Sequence, residues 1–140
     1  MTYQRPEDLF GGTQKILLGD QEDQHNIYIT VNFDDLGPAE VFCRVGKGGS
    51  DTLASSSAIC QLVSAKLQAR SDRDAAIKEI VMTLRGIQGK SQGRNRGVLV
   101  TSIPDAIGWA LQGYPDSEGN KVEYTSEITG MKSTKLDGPD

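Results

Sequence analysis

From His25 to Asn32 apolar and polar positions alternate, with Ile27, Ile29 and Val31 set against Tyr28, Thr30 and Asn32. A period of two predicts a strand whose two faces meet different surroundings. Thr13 to Leu18 reads as a shorter strand before it. Ala39 to Val45 reads as one after it, with Val41, Phe42 and Val45 as its apolar residues. Between them lie an acidic turn at Gly19 to Gln24 and the turn Asp34-Asp35-Leu36-Gly37-Pro38. Three strands on short connections predict an antiparallel meander.

The period then changes. After Gly46-Lys47-Gly48-Gly49, Ser50 or Asp51 can cap a helix that runs to about Arg70. Ala58, Ile59, Leu62, Val63, Lys66 and Leu67 recur at three- and four-residue spacing and give one mostly apolar stripe. Ser71 opens a second helix, with Asp74 three residues on as a capping-box variant. Its buried face is Ile77, Ile80, Val81, Leu84 and Ile87. Gly86 to Gly97 reads as a loop, and Val98-Leu99-Val100 as a short extended segment. Ser102-Ile103-Pro104-Asp105 opens a third helix, with Pro104 in the first turn, where its missing N–H costs nothing. Ile107, Ala110 and Leu111 face inward, and Trp109 takes another side.

These elements predict an α+β fold: a three- or four-stranded, mainly antiparallel sheet packed with two or three helices. Ile59, Leu62, Val63, Ile77, Ile80, Val81, Leu84, Ile107 and Leu111 are expected to build much of the helix-side core. The domain is expected to span residues 1–112. Residues 113–140 form an extension, partly disordered, in which Val122, Tyr124 and Ile128 suggest one more strand. A sheet covered on one side leaves apolar surface, so a homodimer or larger homo-oligomer is expected.

Composition adjusts this picture. The 140 residues suffice for one domain with a core of its own. Only 6% of them are aromatic, so that core is mostly aliphatic. The net charge of -4 argues against general nucleic-acid or membrane-surface binding. No apolar run approaches the roughly 18 residues of a membrane span, and Met1 to Asp8 has no signal-peptide stretch. Cys43 and Cys60 lie in apolar segments and read as buried free thiols of a reducing, cytoplasmic compartment.

The ordered set of segments resembles the TSCPD domain, which occurs at the C-terminal end of cobalamin-dependent ribonucleotide reductases and as separate small proteins. Arg5-Pro6 with Leu9, Gly12 and Thr13 is similar to the family's lead-in. Ile27 to Asn32 and Glu40-Val41-Phe42 are similar to its second and third strands. Gly46 to Ser50 is similar to its glycine-rich turn, and Leu84 to Ile87 to the end of its second helix. Thr101-Ser102-Ile103-Pro104-Asp105 is similar to the naming motif, with Ile103 at the cysteine. Gln88, Gly89 and Lys90 stand where relatives often carry a second cysteine, and no paired-cysteine ribbon follows, so no metal or other cofactor is expected. The resemblance implies a non-catalytic accessory module of nucleotide metabolism.

Two stretches offer binding chemistry. Arg85, Lys90, Arg94 and Arg96, with Asn95 among them, lie in a glycine-rich run that holds no acid between Glu79 and Asp105. Arginine forks and glycine-exposed backbone N–H groups suit phosphate oxygens; the bland reading is a solvated loop. Lys47, Gly48 and Ser50 form a glycine turn into a helix N-terminus, which is either an anion site or simply a tight connection. The expected ligand is a nucleotide or another phosphate-bearing small molecule. A different reading is a phage-type sponge that sequesters a signalling cyclic nucleotide, and a third is a protein–protein adaptor. Thr101, Ser102 and Asp105 read as helix-capping residues, His25 as a strand-end residue, and Trp109 and Tyr114 as packing residues that can also stack on a base.

Overall fold

The computed structural model describes residues 3–19, 24–46, 50–69, 72–114 and 122. Strands β1 (Phe10–Leu18), β2 (His25–Asp34) and β3 (Gly37–Val45) form an antiparallel sheet in the order β1-β2-β3. Helices α1 (Ser50–Ala69) and α2 (Arg73–Leu84) follow, then the short strands β4 (Gly93–Asn95) and β5 (Val98–Val100), then α3 (Ile103–Gln112). This is the α+β meander that the periodicity predicts. Among the described residues, no helix is long and apolar enough to cross a membrane.

Register explains which face is buried. Ile16 pairs with Ile27, and Ile29 and Val31 pair with Cys43 and Val41, so these side chains share the helix-covered face. Helix α1 lies against β3, while α3 packs on β2 and α2. The opposite face carries Thr13, Tyr28, Thr30, Phe42 and Arg44. The Thr13 and Thr30 hydroxyls are bonded at 2.7 Å, and the Arg44 guanidinium lies 5.1 Å from the Tyr28 ring centre. Phe42 remains 54% exposed there.

The β2–β3 turn is tied down by charge. Arg73, at the start of α2, is buried and forks onto both Asp34 oxygens at 3.0 and 3.2 Å, and onto the Pro38 carbonyl at 2.7 Å. Burial pushes the Asp34 carboxyl up, but the Arg73 fork, the Leu36 N–H and the Tyr3 hydroxyl together hold it below the usual carboxylate range. On the open face Arg5 reaches Glu40 with two bonds, at 2.9 and 3.1 Å, and Asn32 donates to the same carboxylate. The Arg5 bond, against some desolvation, keeps Glu40 below its ordinary value.

Several expectations change. Strand β1 starts at Phe10, three residues before Thr13, since Gly11 and Gly12 still pair with Asn32 and Val31. Leu62, expected in the core, is 72% exposed. The buried stripe of α1 is Ser56, Cys60, Val63 and Leu67, and Leu62 lies about 100° around the helix from Val63. Ile59 and Leu84 are only partly buried. Helix α2 is capped by Asp72, whose carboxylate accepts from the Ala75 N–H. Ser71 lies outside the described residues, as does nearly all of the extension; of it Gly113, Tyr114 and Val122 are described, and Tyr114 and Val122 pack against the core.

The expected loop from Gly86 to Gly97 contains β4. It turns back into β5 through Arg96 (φ 48°) and Gly97 (φ 80°), the two positive φ values of a type I′ hairpin. The Asn95 side chain then acts as a strand would: its Oδ1 accepts from the Leu17 N–H at 2.8 Å, and its Nδ2 donates to the Leu17 carbonyl at 3.0 Å. Gly93 lies so close to β1 that any side chain there would run into the Leu17 carbonyl.

Candidate functional site

The entry to α3 fixes the site. Ser102 is its N-cap: the hydroxyl accepts from the Asp105 N–H at 3.1 Å and donates to the Ile87 carbonyl at 2.7 Å. Asp105 is buried and accepts four hydrogen bonds. Oδ1 takes Arg85 Nε and the Gly86 N–H, each at 2.8 Å; Oδ2 takes the Thr101 N–H at 2.9 Å and its hydroxyl at 3.0 Å. One carboxylate thus clamps the end of α2 to the start of α3.

The clamp carries the loop that follows α2. Gly89 donates its N–H to the Thr101 carbonyl at 2.7 Å, and Gly19 donates to the Gln92 carbonyl at 3.1 Å. Held at both ends, the loop presents Lys90 and Ser91 to a cleft of about 430 Å³. Facing them are Asp51, Thr52 and Ser55 in the first turns of α1. Ser102, Ile103 and Pro104 form the wall at α3, and Leu18 and His25 line the cleft at the sheet. The first turns of α1 and the start of α3 therefore open on one cleft, where the helix dipoles favour an anion; at α3 the Asp105 N–H is already taken by Ser102, and Pro104 has none. The volume lies within the roughly 300–1,000 Å³ of small-molecule sites.

The sequence-derived basic cluster does not converge. Arg85 is buried, 2.8 Å from Asp105 and 2.7 Å from Gln112 Oε1, so its guanidinium serves the clamp instead of reaching a ligand. Asn95 is committed to Leu17. Arg96 lies 4.7 Å from the Trp109 ring centre and donates to Gln14 Oε1 at 3.0 Å. Arg94 is exposed on β4 across from Leu99. Lys90 alone of the five lines the cleft. Lys47 and Gly48 lie outside the described residues, as does the side chain of Ser50, the first residue of α1.

Sequence reading missed Thr52, Ser55 and Ser91 as cleft residues. A weak signal was present: serine is a mediocre helix former, and Ser55-Ser56-Ser57 is a hydroxyl run inside α1, of which Ser55 and Ser56 line this cleft and Ser57 the one beside β3.

A family model, that of the TSCPD domain, matches residues 1–115. No curated protein and no solved structure matches the chain.

Proposed function

The chain belongs to the TSCPD domain family, and from that premise we propose that it is a non-catalytic module binding a nucleotide or another phosphate-bearing small molecule. The observation that carries the reading is the cleft in which Lys90, Ser91 and the N-termini of α1 and α3 meet. Lys90 supplies the charge, and the hydroxyls of Ser91, Thr52 and Ser55 supply hydrogen bonds to phosphate oxygens. Leu18, Ile59, Ile103 and Pro104 give an apolar wall for the remainder of the ligand. Asp51 lies on the α1 side and repels an anion, which directs the phosphate toward Lys90. The glycine turn of Lys47, Gly48 and Ser50 adjoins α1 in sequence and belongs to the same proposal; Arg94, exposed on β4, and Arg96, over the Trp109 ring, lie outside this cleft as further basic residues.

Binding without turnover fits the chemistry of the wall. The Ser102 hydroxyl is spent on the Asp105 N–H and the Ile87 carbonyl, and the Asp105 carboxylate on four donors. By family likeness the module serves a cobalamin-dependent ribonucleotide reductase as an accessory, in the cytoplasm. The sponge reading uses the same cleft for a cyclic nucleotide. Self-association is part of the proposal, with the open sheet face around Phe42 as its surface.

Calorimetry with pyrophosphate, nucleoside di- and triphosphates and cyclic nucleotides tests this directly. Lys90→Ala is expected to weaken binding about tenfold, as loss of one charge-assisted contact does. The Arg94→Ala, Arg96→Ala double variant is expected to change affinity less than Lys90→Ala. Heat with cyclic nucleotides alone would select the sponge. No heat with any of these at low salt would refute the binding proposal and favour an adaptor.

A further inference from the structure

The outer side of β3 is matched to α1 in a regular register that ends in two thiols. Gln68 Nε2 donates to the Ala39 carbonyl at 3.0 Å, and Ser64 Oγ accepts from the Val41 N–H at 2.9 Å. Each step of two residues along β3 is met by four residues back along α1, because two strand residues rise about 6.7 Å and four helix residues about 6.0 Å. The next rung of this register pairs Cys43 with Cys60, and both thiols line the same cleft between strand and helix. At the neighbouring rung the direct Ser64–Val41 bond brings helix and strand within one short side chain, the close approach that a cross-link between them requires.

Both cysteines are free, Cys60 buried and Cys43 half-buried. Both line a second cleft, of about 350 Å³, between β3 and α1. The neighbouring Cys60 thiol, against partial burial, holds the Cys43 thiol below its ordinary value, while Cys43 and burial push Cys60 up. The two sulfurs differ in access: half-buried Cys43 is the one a molecule in the cleft can reach, and buried Cys60 stands behind it.

We propose that Cys43 and Cys60 form a reversible thiol–disulfide exchange site that reacts with small-molecule disulfides entering the β3–α1 cleft. The Cys43 thiolate attacks one sulfur of the disulfide, forming a mixed disulfide and expelling a thiolate. The Cys60 sulfur then attacks the Cys43 sulfur and expels the second thiolate, which takes up the Cys60 proton. Two protein thiols are oxidised to one disulfide as one small-molecule disulfide is reduced to two thiols. In a reducing compartment such a bond is transient, which suits a sensor.

The full chain is incubated with oxidised glutathione in native buffer, quenched by alkylation and mapped by mass spectrometry. The expected product has lost two hydrogens, carries an internal Cys43–Cys60 cross-link, and reverts with dithiothreitol. In Cys60→Ser the reaction stops at a glutathione adduct on Cys43. In Cys43→Ser the adduct on Cys60 forms about tenfold more slowly, as expected of a buried thiol. Wild-type protein that remains fully alkylatable, gains two separate adducts, or cross-links only between chains overturns the proposal. The wild-type measurement decides it even if a variant does not fold.

Discussion

Replacing Asp105 by asparagine keeps the side-chain shape and removes one acceptor oxygen and the charge. Asp105 is 1% exposed, and Arg85, its partner at 2.8 Å, has a side chain 10% exposed. If the new amide keeps its oxygen toward Arg85 and Gly86, its NH₂ faces the Thr101 N–H and leaves that donor unpaired. Such a buried donor costs about 1–3 kcal/mol. The Arg85 charge also loses its counter-charge, and breaking a buried pair on one side costs about 3–5 kcal/mol. The two losses overlap because they share one carboxylate, so the expected total is about 3–5 kcal/mol. With a urea slope of about 2 kcal/mol/M, the unfolding midpoint falls by about 2 M. Lys66→Gln is the control: it breaks the Lys66–Glu79 bridge at 2.7 Å, whose side chains are 42% and 48% exposed, and is expected to cost under about 1 kcal/mol. If both variants unfold within about 0.5 M of wild type, the Asp105 clamp is not held in solution and the placement of Lys90 loses its basis.

Asn95→Ala removes both bonds to Leu17 and is expected to destabilise by about 1–2 kcal/mol; hydrogen exchange of the Leu17 amide should rise with it. Acid sensitivity follows from Asp34 and Glu40, whose carboxyls are held low in the folded state. A depressed folded-state value contributes stability that is full above the unfolded-chain value and lost as pH falls through the folded one. Stability should therefore drop as pH falls below the ordinary carboxylate range, and Asp34→Asn should flatten that slope in urea titrations across pH; an unchanged slope would exclude the Arg73–Asp34 pair as its source.

The sheet was legible because Ile27, Ile29 and Val31 announce a face, and their partners on β1 and β3 show the same face. Much of α2 and α3 was legible through Ile77, Ile80, Val81, Ile107 and Leu111, all buried. Leu62 misled because three- and four-residue spacing admits two neighbouring stripes, and only packing against β3 selects the one through Cys60, Val63 and Leu67. Strand β4 left no mark because Gly93, Arg94 and Asn95 are held by backbone pairing with β5 and by the Asn95 side chain on Leu17, bonds that hydrophobic period cannot register. The site was harder still. Proximity in sequence grouped Arg85, Lys90, Arg94 and Arg96, whereas a buried acid twenty residues away from Arg85 draws that residue inward. Lys90 and the first turns of α1 share a cleft only because the chain folds back, which no local pattern encodes.

The bonds made by Asn95 on one flank of the sheet, and by Ser64 and Gln68 on the other, have a consequence for how copies of this molecule can meet. Exposed strand margins recruit further strands, the route to runaway stacking and fibre growth. Here β1 at Leu17 and β3 at Ala39 and Val41 already have backbone groups occupied by side chains of the same chain. A newcomer would have to displace these amide and hydroxyl groups before it could pair there. Growth by strand addition is therefore blocked at these points.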